Sequence, residues 1–219
     1  MTRSPEQLME ALRTVEIPTL GHVLEEGFCS QELRPINSGP QLVGPARTLD
    51  LVAPDALAVN RALLALQPGD VLVIRVHGRA HAPVGAVTAH LAIAQGAAGI
   101  VVDGPVTDLE ALRAVQDRLP VFATGLTART TKRTGEVALS GNGGLDQTID
   151  VAGVTVRPGD LVMGDAQGVL VLPPEGPDPQ VLDDALASDA AEPALIARIQ
   201  SGEPLDQILG TSSNTLPEA

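Results

Sequence analysis

The sequence has few aromatic residues, little cysteine and a shortage of positive charge, and each shortage narrows the possible functions. Its 219 residues include two Phe and neither Trp nor Tyr, which argues against an aromatic platform that stacks single-stranded nucleic acid. A formal net charge of −13 argues against binding to nucleic-acid phosphates as well. The single cysteine, Cys29, cannot form an internal disulfide or a multi-cysteine zinc site, and nothing near it indicates a reactive thiol.

Long hydrophobic runs are also missing. The first six residues carry no apolar signal segment, and no later run is long and apolar enough to cross a bilayer. We therefore expect a cytoplasmic protein with no membrane partner and no nucleic-acid partner. A hydrophobic content of 44%, mostly Ala, Val, Leu and Ile, is enough for a substantial core.

The middle of the chain alternates short β-branched runs with helical patterns. Predicted strands are 47–52, 71–76, 99–103 and 121–123, and predicted helices are 56–66, 85–95 and 109–119. Short connections between such elements predict an α/β fold with a parallel βαβαβ core and right-handed crossovers. Strand-like pieces at 147–151, 154–156 and 168–172 predict a second, smaller mixed sheet.

The two ends of the chain are predicted to be helical. Ser4-Pro5-Glu6-Gln7 is typical of a capped helix start, Pro18 is expected to end that helix, and a second helix is predicted at 20–26. Residues 28–45 are predicted to be a loop, and the tail a helix interrupted at Pro193. Without an evident linker, residues 1–219 are predicted to form one domain. Its parts are N-terminal helices at 4–27, a core at about 45–175 and a helical tail at about 180–210.

Pro-Gly-Asp occurs twice, at 68–70 and 158–160, each time directly before an apolar strand. Proline fixes φ and glycine accepts a positive φ, so this pattern is typical of a turn.

Two carboxylates, Asp103 and Asp108, flank the segment between the strand at 99–103 and the next helix. Gly104 and Pro105 are expected to break the strand. Ligands of open α/β sheets bind at such carboxyl ends, and hard oxygen ligands suit Mg²⁺ or Mn²⁺. A purely structural role is the alternative for each: Asp108 as the N-cap of the following helix, and Asp103 as an acceptor for turn amides.

A third feature lies at the preceding crossover, where a helix is predicted to begin at Gly85-Ala86-Val87-Thr88. The free N–H groups at such a start, with the helix dipole behind them, favour a carboxylate. Because neighbouring crossovers open at the same sheet edge, we expect Asp103, Asp108 and residues 85–88 to lie together.

Histidines and basic residues near this edge have two interpretations each. His77 and His81 lie in a glycine-containing loop and are either solvated or acid–base groups. Arg129, Lys132 and Arg133 form the only basic run, which is either a solvated loop or an anion-binding segment. A phosphate loop and a dinucleotide glycine fingerprint are both absent, so no nucleotide or organic cofactor is expected.

Four segments together resemble the RraA-like family, which includes the regulator of ribonuclease E activity and the 4-hydroxy-4-methyl-2-oxoglutarate aldolases. They read GAVTAHLAIAQGAAGIVVDGPVTD (85–108), PVFATG (120–125), GVTVRPGDLV (153–162) and DAQGVLVLP (165–173). The resemblance covers about residues 15 to 210. It implies a layered β/β/α swivelling-type fold assembled as a homotrimer or a dimer of trimers.

The resemblance also implies roles for individual residues. Asp108 corresponds to the aspartate that carries the divalent metal, and the N–H groups of Val87 and Thr88 correspond to those that hold the pyruvate carboxylate. The family's substrate-binding arginine falls on Thr107, and its acidic or amide residue after the helix-start glycine falls on Ala86. An acidic residue from a neighbouring subunit's tail supports the metal in the family. Glu192 is the nearest match.

Two departures weaken the enzymatic interpretation, because an enolate is stabilised by a metal together with an aligned donor such as a guanidinium. Threonine cannot replace the arginine fork, although Arg79 or Arg129 could act from another direction. The leading hypothesis is a metal-dependent lyase that releases pyruvate by retro-aldol cleavage or decarboxylates oxaloacetate. The alternatives are a non-catalytic regulatory protein, and an enzyme for another substrate whose pocket is rebuilt by Thr107, His81 or Arg129.

Overall fold

The computed structural model describes residues 3–141 and 143–209. The strands are β1 (Arg34–Pro35), β2 (Leu42–Leu51), β3 (Val71–Val76), β4 (Gly99–Val106), β5 (Val121–Leu126), β6 (Ile149–Val151), β7 (Val154–Val156), β8 (Leu161–Asp165) and β9 (Gly168–Leu172). Seven of them form a mixed sheet in the order β1-β5-β4-β3-β2-β8-β9, and β6 and β7 form a separate two-stranded sheet. The helices are α1 (Pro5–Thr14), α2 (Ile17–Leu20), α3 (Ala56–Ala65), α4 (Ala86–Ala94), α5 (Leu109–Ala114), α6 (Pro179–Gln200) and α7 (Leu205–Ile208), with a 3₁₀ turn at His77–Arg79.

Strands β2 to β5 are parallel neighbours, which confirms the predicted βαβαβ core. Apolar residues of α3, α4 and α5 cover one face of this sheet. The β6–β7 hairpin covers the other face, while α1, α2 and α6 pack near β8 and β9. The hairpin, sheet and helices form the expected β/β/α layers. Among the described residues, no helix is both long and apolar enough to cross a membrane.

Local signals at the chain start and at the repeated turns are confirmed. Ser4 and Gln7 form a reciprocal capping box at the start of α1. In both Pro-Gly-Asp turns the aspartate accepts a backbone N–H three residues earlier: Asp70 from Gln67 at 2.9 Å and Asp160 from Arg157 at 2.7 Å. Their glycines have φ near +90°, which only glycine adopts without strain.

The strand predictions need three corrections. β4 does not stop at Asp103 but continues through Gly104 and Pro105, where its register with β5 shifts; at such an irregularity proline's missing N–H is tolerated. The predicted loop at 28–45 contains both β1 and the start of β2 at Leu42. β9 does not join the second sheet, because a two-residue turn folds it antiparallel onto β8.

The helix predictions also need correction at their ends, and the helix predicted at 20–26 is wrong, because α2 ends at Leu20 and residues 21–27 form a turn and loop. Pro18 does not end a helix; it lies in the first turn of α2, where a missing N–H costs nothing. α5 stops at Ala114, short of the predicted end at residue 119. α6 is continuous through Pro193, so the predicted interruption is wrong.

Candidate functional site

The loops that follow β3 and β4 meet at one corner, which we call the α4–α5 corner and define by Gly85–Thr88 with Thr107 and Asp108. The Thr107 N–H donates to the Val84 carbonyl at 2.9 Å. The Ala86 N–H donates to Oδ2 of Asp108 at 2.9 Å. These two bonds hold the start of α4 directly against the residue that precedes α5, so the structure brings Asp108 and the helix start together.

Close packing at this corner requires glycine at position 85. A β-carbon there would lie 2.5 Å from Oδ2 of Asp108 and 2.8 Å from Cγ2 of Thr107. The Gly85 φ of −151° is extended backbone, so the requirement comes from the approach of Asp108 rather than from backbone conformation.

Asp108 stands at the N-cap position of α5, but its side chain makes no capping hydrogen bond to that helix. Its backbone is left-handed, with φ 56° and ψ 46°, a conformation that aspartate tolerates better than most residues. The predicted N-cap alternative is therefore wrong in its detail. The carboxylate instead accepts a hydrogen bond from the start of α4 through Oδ2. Its Oδ1 lies 3.4 Å from the Thr107 hydroxyl.

The start of α4 keeps backbone donors that Asp108 does not use. Within the described part of the chain, the N–H groups of Val87 and Thr88 have no hydrogen-bond partner. Val87 is 73% exposed, so the helix start is open to solvent. A nine-residue helix behind these donors adds the positive end of its dipole. The corner thus combines one carboxylate with free backbone donors, an arrangement able to take a cation and an anion side by side.

Asp103 does not lie at this corner, so the prediction that it joins Asp108 and residues 85–88 is wrong. It lies inside β4, 5% exposed, and its Oδ2 accepts the Ala152 N–H at 3.0 Å. Its Oδ1 pairs with the Arg79 guanidinium at 2.5 Å. Both partners lie outside the corner, so the structure gives Asp103 a role in joining β4 to the β6–β7 hairpin.

The two candidate arginines differ in their partners. Arg79 is held by Asp103 and also by Glu32 at 3.2 Å, so its charge is already neutralised. Arg129 is exposed, and among the described residues it takes part in no ion pair. Its carbonyl accepts the Ala82 N–H at 2.8 Å, which places it beside the segment that leads into α4. Lys132 lies further along, where its carbonyl accepts the Ala56 N–H.

The three histidines near this sheet edge lie on different elements and do not hydrogen-bond to one another. Nε2 of His77 lies 2.8 Å from Oδ1 of Asp50, at the ends of β3 and β2. His81 is half-buried in the loop before α4. Nδ1 of His90 contacts the Ala86 carbonyl at 2.8 Å, one turn into α4. None of these contacts involves Asp108.

Glu192, the predicted second metal ligand, lies in the exposed half of α6. Cys29 is confirmed as an unreactive site by its surroundings. Burial, together with the nearby carboxylates of Asp103 and Asp150, raises the pKa of its thiol to about 12.

Asp55, which no sequence motif singled out, anchors the loop beyond Arg129. Its carboxylate is fully buried and accepts the N–H groups of Leu57, Val137 and Ala138, each at 2.9 Å. Burial alone would raise the pKa of this carboxyl, but the backbone donors outweigh it and hold the pKa below its ordinary value. The available signal was its position before a helical pattern, typical of an N-cap.

Comparison with known proteins identifies the family to which this architecture belongs. Residues 8–171 match the RraA-like family, described as Aldolase/RraA. The chain belongs to the RraA-like family. It is 39% identical over 163 residues to a protein of Halalkalibacterium halodurans named "Putative 4-hydroxy-4-methyl-2-oxoglutarate aldolase", covering 74% of this chain and 73% of that protein.

Two solved structures extend the comparison to the fold. The RNA-processing inhibitor RraA from Thermus thermophilus is 29% identical, with a TM-score of 0.64 over 75% of this chain and 95% of that one. An uncharacterized protein from Pseudomonas syringae pv. tomato gives a TM-score of 0.76 over 96% of both chains at 22% identity, which bears on the fold alone. The RraA-like fold expected from the sequence is thus confirmed.

Proposed function

We propose that the α4–α5 corner is the active site of a divalent-metal-dependent lyase for a small 2-oxo acid. The observation that carries the proposal is the contact between the Asp108 carboxylate and the start of α4, whose Val87 and Thr88 N–H groups remain free. A 2-oxo acid presents a carboxylate next to a carbonyl oxygen, and this pair matches an anion cradle beside a cation ligand. The similarity to an aldolase-named relative supports lyase chemistry.

The corner suits a Mg²⁺ ion that is bound by few protein ligands. Residues 3–141 and 143–209 contain no cluster of three or more His, Cys, Asp or Glu placed to hold a metal. Enzymes often hold Mg²⁺ through one or two carboxylates, several waters and the substrate's own oxygens. Asp108 would be the protein ligand here, with Glu192 of a neighbouring subunit as a proposed second one. When bound, Mg²⁺ or Mn²⁺ would supply positive charge where the enolate oxygen develops.

The chain's own groups then have defined tasks in the reaction. The Val87 and Thr88 N–H groups bind the substrate carboxylate and fix the orientation of the adjacent carbonyl. In oxaloacetate the C3–C4 bond breaks, CO₂ leaves, and the electron pair of that bond forms the enolate of pyruvate. A proton from solvent is then taken up at C3. Retro-aldol cleavage follows the same course, except that the C4 hydroxyl loses its proton and an aldehyde or ketone leaves.

The test is oxaloacetate decarboxylation by the wild type and by Asp108→Asn, with and without Mg²⁺. Asparagine keeps an oxygen for the Ala86 N–H but loses the charge that holds a cation. We expect Mg²⁺-dependent turnover above the free-metal rate in the wild type, reduced by at least about a hundredfold in the variant. Equal rates in the two proteins would refute the proposal.

A non-catalytic regulatory role is the second candidate, and three observations favour it. Thr107 stands where an enolate-stabilising guanidinium is expected, and Asp108 already satisfies the first N–H of α4, which is a sufficient structural reason for its presence. One structural neighbour is named as an RNA-processing inhibitor. This role predicts a stable complex with a protein partner and no metal-dependent turnover.

We further propose a homotrimer, or a dimer of trimers, with pockets between subunits. Support comes from the second half of α6, where Leu195, Ile196 and Ile199 are between 41% and 47% exposed. Such an apolar stripe on a helix is typical of an interface. Light scattering should give a multiple of the 22.5 kDa chain mass, and a monomer across concentrations would refute the assembly.

A further inference from the structure

The loop from His77 to Val84, here called the β3–α4 loop, leads from the sheet into the α4–α5 corner. Its last residue is fixed to the corner, because the Val84 carbonyl accepts the Thr107 N–H at 2.9 Å. Its first half, residues 77–80, is exposed. Two side chains of this exposed half, those of His77 and Arg79, contact carboxylates on neighbouring strands and so hold the loop to the sheet.

Arg79 has a backbone conformation that is unfavourable for arginine. Its φ of 45° lies in the left-handed region, directly after Gly78 with a φ of 71°. For most L-residues this region brings the β-carbon too close to the following carbonyl oxygen. Such residues persist only where their surroundings hold them in place, and they are concentrated at functional sites. The contacts of the Arg79 side chain must therefore compensate for its backbone.

The guanidinium of Arg79 bridges two carboxylates that differ in burial. Its Nη2 lies 2.5 Å from Oδ1 of Asp103, and its Nη1 lies 3.2 Å from Oε2 of Glu32. Glu32 is exposed, and exposed ion pairs contribute little to stability. Asp103 is buried, and among the described residues its Oδ1 has no other partner. Loss of Arg79 would therefore leave a buried carboxylate oxygen unpaired, which is costly.

The Arg79–Asp103 pair connects the two chain segments that build the corner. Asp103 lies in β4, in the segment that leads to Asp108, and Arg79 lies in the segment that leads to Gly85. At the corner itself the same two segments meet again, where the Ala86 N–H donates to Oδ2 of Asp108 at 2.9 Å. The ion pair thus fixes the upstream ends of two segments whose downstream ends form the site.

We propose that Arg79 is a positioning residue of the α4–α5 corner. By holding the β3–α4 loop on β4, it keeps the Val87 and Thr88 N–H groups at a fixed distance from the Asp108 carboxylate. The inference rests on the proposed function, because these N–H groups and this carboxylate are the ones assigned to substrate and cation. The guanidinium is engaged by Asp103 and Glu32, so Arg79 acts through the loop and not on the substrate.

The first experiment measures amide hydrogen exchange by mass spectrometry and does not need turnover. The variant is Arg79→Asn, because asparagine tolerates the left-handed region but is too short to bridge to Asp103. The Ala86 and Thr107 N–H groups are both hydrogen-bonded across the corner. Their exchange should become roughly ten- to a hundredfold faster, the range for loss of a charge-assisted hydrogen bond. Exchange in the buried strand β3 should stay as in the wild type.

Two matched controls remove the other contacts of the same loop. Glu32→Gln removes the exposed partner of the Arg79 guanidinium, and His77→Asn removes the contact with Asp50 on β2. Both should leave exchange at the corner within about twofold of the wild type, because these pairs are exposed or half-exposed.

A third variant tests whether Asp103 is the partner through which Arg79 acts. Asp103→Asn keeps an oxygen for the Ala152 N–H but loses the charge that pairs with the guanidinium. It should reproduce the fast corner exchange of Arg79→Asn. The double variant should exchange no faster than either single one, because both changes remove the same interaction.

The second experiment measures Mg²⁺-dependent oxaloacetate decarboxylation at a temperature where all variants are folded. Arg79→Asn should lower kcat/KM by at least about tenfold, since a misplacement of about 1 Å costs on the order of a hundredfold, whereas Glu32→Gln should match the wild type. Unchanged exchange at the corner, an equal increase throughout the chain, or faster corner exchange with unchanged kcat/KM would each overturn the inference. A wild type that decarboxylates nothing refutes the lyase, and the exchange experiment alone then decides whether Arg79 positions the corner.

Discussion

The requirement for glycine at position 85 gives a sharp test of the α4–α5 corner. In Gly85→Ala the new β-carbon would lie 2.5 Å from Oδ2 of Asp108, against an ordinary contact of 3.4 Å or more. The carboxylate must therefore move by about 0.9 Å, which breaks its 2.9 Å bond to the Ala86 N–H. Overpacking together with one lost charged hydrogen bond should destabilise the fold by about 2 kcal/mol. For a chain of this size that corresponds to a Tm lower by about 4–8 °C.

The effect on activity should be larger than the effect on stability. A displacement of about 1 Å in a positioning group costs on the order of a hundredfold in rate, so kcat/KM for oxaloacetate should fall by that factor if Asp108 holds the metal. The variant removes no ionisable group, and so its effect on activity reports geometry alone.

Gly125→Ala is the matched control. Gly125 lies in β5 with no atom within 4 Å of the added β-carbon, and alanine there should change stability by less than about 0.5 kcal/mol. Thermal unfolding and the Mg²⁺-dependent assay on both variants decide the matter. If Gly85→Ala matched Gly125→Ala in Tm and rate, the close approach of Asp108 to α4 would contribute neither to stability nor to activity.

Three further predictions follow from the structure. Thr107→Arg should raise Mg²⁺-dependent oxaloacetate decarboxylation on the order of a hundredfold if only the guanidinium is missing; an unchanged rate in a normally folded variant would contradict this. Cys29 is partly exposed but has a pKa raised to about 12, so iodoacetamide at pH 8 should label it much more slowly in the native protein than after unfolding, as mass spectrometry would show; equally rapid labelling of both states would disprove the raised pKa. Asp55 has a lowered pKa in the folded state, so the unfolded chain takes up the proton first as pH falls, and this stabilisation is present above pH 4 and lost at more acidic pH. Asp55→Asn should lower the free energy of unfolding by about 2 kcal/mol at pH 7 and flatten its acid dependence. Denaturant titrations from pH 7 to pH 3, with the exposed Asp117→Asn as control, would show no difference between the variants if the argument fails.

Much of the fold was predictable because its signals are local. The Ser4 capping box and the two Pro-Gly-Asp turns depend on residues within three positions of one another. The alternation of strands and helices fixed the parallel core through the handedness of crossovers. The same rule brought Asp108 and Ala86 together, since two consecutive crossovers must open at one edge.

The failures share a non-local cause. Asp103 looked like a turn residue, but its partner is the N–H of Ala152, 49 positions away, and no spacing in the sequence reports that contact. Pro105 was expected to end β4, yet the strand continues because its neighbour β5 accommodates a register shift. Arg79 and Arg129 were indistinguishable as sequence, and only the positions of Asp103 and Glu32 separate them.

The far half of α6 has a consequence for how the chain behaves on dilution. Residues 191–200 are exposed on every side, whereas the near half is anchored by Leu182 and Ala185. Ten residues without tertiary support form a marginal helix in water, and Pro193 removes one of its hydrogen bonds. If the proposed assembly covers this stretch, amide exchange there should slow as protein concentration rises, and trypsin should cleave after Arg198 faster in dilute samples than in concentrated ones.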